Sequence, residues 1–217
     1  NMIKIKKIKI TKSERIILIF IIFLAIFSLA SLIILNNKCL FVKNYNPYNI
    51  KFDNPQNIAF LNTNCGNVII ELYPNISPNA VSRFKTLIRS DAYKDVAFHK
   101  VIEDRIVQTG DLEFGKKKNL DYGKVGTGKS GLGNIKSELN DEFQFDKGSV
   151  GLARTFELNT EDSQFFITLQ DEPLFNGEYT PVGKVIYGLD VLKKVKFVAK
   201  FHIVPRPDFI NFFKMLN

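Results

Sequence analysis

From Ile16 to Leu35 the chain reads IILIFIIFLAIFSLASLIIL, twenty residues without a charge. A helix over such a run, at ~1.5 Å per residue, spans the ~30 Å hydrocarbon core of a bilayer. Ser28 and Ser31 do not spoil this reading, because their hydroxyls can bond back to the helix backbone. Residues 1–15 carry Lys4, Lys6, Lys7, Lys9, Lys12 and Arg15 against Glu14 alone, so this basic tail supplies +5 of the formal net charge of +8. Basic residues ahead of an apolar span put the N-terminus on the cytoplasmic or matrix side, and the rest of the chain across the membrane in a periplasm, intermembrane space or lumen. A cleaved signal peptide competes with this reading, and Ser28-Leu29-Ala30 loosely fits a cleavage site. Its apolar region usually runs only about 7–15 residues, however, and the length here favours a transmembrane helix over 16–36 that partners the lipid bilayer. Charge gathered beside an apolar span, not on a folded region, argues against nucleic acid as a partner.

Residues 37–55, rich in Asn, Pro, Lys and Tyr without periodicity, read as a linker. Residues 56–217 are enough for one domain of roughly 160 residues, which can bury a core without metal or disulfide support. With 20 Phe, 7 Tyr and no Trp, that core is filled by Phe. Cys39 and Cys65 either pair in an oxidising compartment or stand as two thiols. With His99 and His202 as the only histidines they form no metal set, and no cofactor is expected. Short apolar runs at Ile58–Leu61, Val68–Leu72, Val96–Ile102, Arg105–Gln108, Ser149–Ala153, Gln164–Leu169, Thr180–Val185 and Phe209–Phe213 predict eight strands. Ser77-Pro78 predicts a helix start with Ser77 as N-cap, followed by one apolar face of Val81, Phe84, Leu87 and Ile88. Gly188–Val195 predicts a second short helix. The class is therefore mainly β: a closed eight-stranded antiparallel barrel capped by two helices, plus the N-terminal transmembrane helix.

The motifs are more specific than the periodicity. Val68–Pro74 followed by Ser77–Val81 resembles the opening strand and first helix of the cyclophilins. Phe98-His99-Lys100-Val101-Ile102, then Gln108-Thr109-Gly110-Asp111, is similar to that family's FHRVI segment and its sequel. Gly148–Arg154 resembles the bacterial-type GxVxMAR stretch, Ser163–Ile167 the SQFFI strand, and Phe175–Val185 the LDGxxTxFGxV turn and strand. Pro207-Asp208-Phe209-Ile210 takes its place at the end. The resemblance covers roughly residues 57–215 in order, and its flavour is that of periplasmic or organelle-derived members.

The resemblance implies a peptidyl-prolyl cis-trans isomerase acting on proline-containing polypeptide segments, with Lys100, Arg105 and Gln108 in the catalytic positions. Ile106, Phe166, Phe175, Tyr179 and Arg154 fall in the substrate-binding ones. Two positions depart from the pattern. Lys100 stands where the family has an arginine, a floppy point charge in place of a planar fork. Arg105 stands at the first pocket phenylalanine, either swinging in as a substitute guanidinium or pointing away. Ile106 replaces a methionine, and Tyr179 stands where many members have His. His99, beside Phe98 on a strand, reads as a core residue and not as an acid or base. Gly123–Ser130 fits the phosphate-binding pattern G-x-x-x-x-G-K-[ST]. No strand precedes it and Gly131-Leu132-Gly133-Asn134 disfavours a helix after it, so no nucleotide is expected. The expected role is an isomerase that assists folding at a membrane. The rival is a catalytically degenerate module that binds proline peptides or serves a membrane protein complex.

Overall fold

The computed structural model describes residues 11–36, 39–195 and 208–216. Most of the basic tail, residues 1–10, lies outside the described residues, as do His202 and Pro207. The chain falls into two units, residues 1–41 and 42–217. In the first, helix α1 runs Lys12–Asn36. Thr11 and Glu14 open it with a reciprocal cap: Thr11 N–H donates to Glu14 Oε2 at 2.7 Å, and Glu14 N–H donates to Thr11 Oγ1 at 3.3 Å. It is long and apolar enough to cross a membrane, a property it shares with signal sequences. Cys39 and Cys65 are both disulfide-bonded.

The second unit is built on one antiparallel sheet. Its strands are β1 Ile58–Thr63, β2 Gly66–Leu72, β3 Lys100–Ile102, β4 Ile106–Thr109, β5 Ser149–Leu152, β6 Phe165–Thr168, β7 Pro181–Tyr187 and β8 Phe212–Met215, in the order β3-β4-β6-β5-β7-β2-β1-β8. Two helices accompany it, α2 Pro78–Arg89 and the four-residue α3 Leu189–Leu192. Period-two alternation divides each strand between two faces. Val107, Ile167 and Val150 lie abreast on β4, β6 and β5 and are all buried. The core ring cluster joins Phe84 of α2 to Tyr93, Phe165 and Phe213, at centroid distances of 4.9–5.6 Å from Phe84. Complete burial pushes the Tyr93 phenol well above its ordinary pKa, so it stays a neutral donor to Ser163 O at 2.8 Å.

β1 and β2 read as nearly continuous apolar runs because both of their faces are covered. Ile58, Phe60 and Ile69 form a second cluster with Leu216, overlaid by Tyr45, Ile50, Phe52 and Phe212. Residues 44–52 are held there by Asn67, whose N–H donates to Asn44 Oδ1 at 3.0 Å and whose Nδ2 donates to Tyr45 O at 2.8 Å.

Eight antiparallel strands match the expectation, but the closure does not. Among the described residues no ladder joins the edge strands β3 and β8, and the sheet is a half-barrel. Residues 95–98 and 208–210 cross the seam, through Asp95 N–H to Ile210 O, Phe98 N–H to Asp208 O, Ile210 N–H to Val96 O and the single bridge Ala97–Phe209. The run 96–102, expected as one strand, ladders only at Lys100–Ile102. Its first half is shared with a second neighbour, since Ala97 N–H donates to Gly115 O. Helix α2 starts as expected, with Ser77 as N-cap and Pro78 as its first residue, but its orphan donors are satisfied from elsewhere. Ser77 makes no side-chain cap bond. Instead the Glu138 carboxylate accepts from Asn79 N–H at 3.1 Å and Ala80 N–H at 2.8 Å. An anion at a helix N-terminus satisfies orphan donors and the helix dipole together.

Candidate functional site

The strand registers assemble the site. Lys100 on β3 pairs with Gln108 on β4, Gln108 with Phe166 on β6, and Phe166 with Gly151 on β5. Directly paired residues share a face, so these four form one row across the sheet, on the face opposite Val107, Ile167 and Val150. Gly151 makes room in the row. A Cβ there would lie 2.5 Å from Phe166 Cζ and 2.8 Å from Phe145 Cε1. Ile106, two residues before Gln108, adds an apolar side chain to the same face.

Over this row opens a hollow lined by Lys100, Ile106, Gln108, Ala153, Arg154, Phe166, Phe175 and Tyr179, with His99, Val125 and Gly126 at its other side. Three rings build its apolar wall. Phe166 lies 5.2 Å from Phe175 and 5.1 Å from Tyr179, and Phe175 lies 4.9 Å from Tyr179, all edge to face. Phe145 backs Phe166 at 5.7 Å. The polar side starts at Gln108, whose Nε2 donates to Gln164 Oε1 at 3.0 Å. Gln164 Nε2 donates in turn to Gly126 O at 3.1 Å and Gly128 O at 2.9 Å. Lys100 is exposed and makes no hydrogen bond or ion pair among the described residues, which leaves its ammonium available to the hollow.

The glycine-rich segment is anchored from inside. Buried Asp111 accepts from Glu113 N–H at 3.1 Å and Phe114 N–H at 2.8 Å through Oδ1, and from Gly126 N–H at 2.7 Å and Gly128 N–H at 3.0 Å through Oδ2. Gly126 sits at φ +98°, and a Cβ there would come within 3.4 Å of His99 Cδ2. Further on, Ser130 N–H and Oγ both reach Asp162 at 2.6 Å, and Asp162 also pairs with Arg83 of α2. The amides that a phosphate-binding loop would offer to phosphate are taken here by the protein's own carboxylates. The motif is a loop tied down beside the hollow, as its poor flanks suggested.

Every expected site residue but Arg105 lines the hollow. Arg105 follows the tight turn at Asp104 (φ 55°), and its guanidinium goes to Glu172 through two bonds, Nε–Oε1 at 2.7 Å and Nη2–Oε2. The arginine holds the Glu172 carboxyl below the usual carboxylate range, with Gln170 assisting. Phe166, Phe175 and Tyr179 already form the apolar wall, and Glu172 provides the fixed charge that draws Arg105 the other way. His99 is mostly buried at the side of the hollow; neither ring nitrogen makes a well-aligned hydrogen bond among the described residues, though Gln164 and the Ala97 backbone lie close enough to favour its charged form. Burial lowers its pKa, so the ring is neutral near pH 7. Sequence reasoning missed Gln164 and Gly126 as parts of the site. Both were in view, one inside Ser163–Ile167 and the other inside the phosphate-loop pattern. No cluster of His, Cys, Asp and Glu among the described residues could hold a metal ion.

Residues 58–208 match the family model for cyclophilin type peptidyl-prolyl cis-trans isomerase/CLD. A probable peptidyl-prolyl cis-trans isomerase of Brucella suis is 43% identical over 143 residues, covering 65% of this chain and 72% of the relative. A peptidyl-prolyl cis-trans isomerase of Schizosaccharomyces pombe is 34% identical over 143 residues, covering 64% of this chain and 84% of its own. Among solved structures, a Cryptosporidium parvum cyclophilin type isomerase crystallised in the presence of the dipeptide Ala-Pro superposes with a TM-score of 0.62 at 30% identity, over 73% of this chain and 98% of its own. A cyclophilin from Hirschia baltica, 21% identical with a TM-score of 0.61 over 80% of this chain and 81% of its own, shares the fold.

Proposed function

This chain belongs to the cyclophilin-type peptidyl-prolyl cis-trans isomerase family and is an enzyme of that class, and we propose that it acts through the hollow over the Lys100–Gln108–Phe166 row with Lys100 as its catalytic cation. Rotation about a prolyl peptide bond faces a barrier of ~18–20 kcal/mol from amide resonance. No nucleophile or cofactor is needed to lower it. A site must grip the pyrrolidine ring and aim a donor at the imide nitrogen, whose lone pair localises only as the bond twists. The wall of Phe166, Phe175, Tyr179 and Ile106 suits the ring, and Gln108, oriented by Gln164, suits the flanking peptide group.

The observation that carries the choice of Lys100 is the spending of the guanidinium groups: Arg105 is committed to Glu172 and Arg154 to its own loops. Lys100 alone lines the hollow with an uncommitted ammonium among the described residues. Isomerisation of a proline peptide by the detergent-solubilised chain tests this. Lys100→Gln is expected to lower kcat/KM roughly a hundredfold, the size seen when one transition-state donor is removed. Arg105→Ala is expected to change it by less than about twofold, as for a surface side chain outside a site. A wild-type rate no faster than the uncatalysed one, or a larger loss in Arg105→Ala than in Lys100→Gln, would defeat the assignment. We read α1 as the anchor that keeps this activity at a membrane, where its clients are proline-containing segments of other polypeptides; the length and apolarity of the helix support that reading.

A further inference from the structure

Arg154 was expected to bind substrate, yet its donors point elsewhere. Its Nε donates to Glu178 O at 3.1 Å, Nη1 to Thr155 O at 3.1 Å and Phe156 O at 2.9 Å, and Nη2 to Glu178 Oε2 at 3.2 Å. Four of the five guanidinium N–H bonds a side chain of this type offers are thereby used within the protein. The guanidinium carbon lies 5.2 Å from the centroid of the Tyr179 ring. The Tyr179 side chain, whose hydroxyl makes no hydrogen bond among the described residues, is held by the rings of Phe166 and Phe175 and by the Arg154 guanidinium against its face.

Two loops meet at this residue. One continues from β5 through Thr155 and Phe156, which is 95% exposed and therefore not fixed by packing. The other carries Glu178 and Tyr179 in front of β7. We propose that Arg154 is a positioning residue for the known reaction, a clamp between these two loops that sets the width of the proline hollow by holding Tyr179 against Phe166. The proposal rests on the hollow being the proline site. Arg154 is only 12% exposed while its carboxylate partner Glu178 is 64% exposed. The clamp therefore works through the carbonyl bonds and the ring face, since an ion pair open to solvent on one side contributes little. Lysine in its place keeps a charge near the ring but cannot fork to three carbonyls.

A double-mutant cycle on the full chain tests the clamp, with Kd for an Ala-Pro-containing peptide, KM, kcat and the thermal midpoint measured for each variant. Arg154→Ala is expected to raise Kd and KM about fivefold with kcat nearly kept, as loss of one cation–ring contact and its loop would. Tyr179→Ala is expected to raise them about tenfold. In the Tyr179→Ala background the Arg154 substitution should then cost less than about twofold, because the ring it holds is gone. Arg154→Lys, which keeps the fold if Arg154→Ala does not, should fall between wild type and Arg154→Ala. A full fivefold loss persisting in the Tyr179→Ala background would make Arg154 a direct substrate contact and overturn the clamp. No loss in the wild-type background would overturn it equally. An unsubstituted chain that neither binds nor isomerises the peptide would remove the proline-site reading along with it. Strictly additive variants of an active chain remove the clamp alone.

Discussion

His99 shows what one residue can cost a fold. Burial disfavours its charged form, Asp111 works against that and Lys100 adds to it, and the net pKa lies below the ordinary value. The unfolded chain takes up a proton at this position near pH 6.5 while the folded one resists it. Since stability rises with pH wherever the unfolded state binds more protons, the contribution of His99 is intact above about pH 6.5 and declines as the pH falls toward the lowered folded value. His99→Leu removes the titration and two poorly satisfied nitrogens. Its urea midpoint is expected to drop less than that of wild type between pH 7.5 and 5.5, and an equal drop in both proteins would contradict the assignment. Glu172, held low by Arg105, titrates below this window and does not confuse it.

At the scale of elements, the segment between β4 and β5 has almost no regular structure and is ordered by carboxylates. Asp111 gathers four backbone N–H groups within the protein, and unsatisfied buried donors cost about 1–3 kcal/mol each before relaxation. Asp111→Ala is expected to lose roughly 3 kcal/mol or more in chemical denaturation. It should also speed tryptic cleavage at Lys124 and Lys129, and unaltered cleavage there would mean that the loop is held by something else. The contrast with the strands shows what could be read from sequence. Lys100, Gln108 and Phe166 were legible through the resemblance of their segments to cyclophilin motifs, and the strand registers explain why those positions share one row. Arg105 was not, because its direction is set by Glu172, 67 positions away in the chain. The start of α2 was legible, since Ser77 is the N-cap and Pro78 the first helical residue; what local sequence could not show is that Glu138 arrives from the far loop and takes the orphan donors. Residues 44–52 carry no period because they cover the sheet through individual ring and amide contacts.

For the whole molecule, the anchored reading of α1 is open to a direct check. The chain produced in cells is expected to stay with the membrane fraction through an alkaline wash and to retain the peptides of residues 16–35. A shorter species in the soluble fraction would make α1 a cleaved signal. The eight antiparallel strands were foreseen from their patterning, while the open seam was not, since which partner residues 95–98 choose depends on the distant Gly115 and Asp208.

The row across β3, β4, β6 and β5 has one more implication. Its members reach the hollow only if three separate strand pairings are all in phase, because a slip of one residue turns every side chain on a strand to the opposite face. A misfolded chain with good secondary structure and a collapsed interior would thus be catalytically silent. Turnover in this protein doubles as a phase detector for its own assembly, and recovered activity during refolding should count only molecules in which all three pairings are correct.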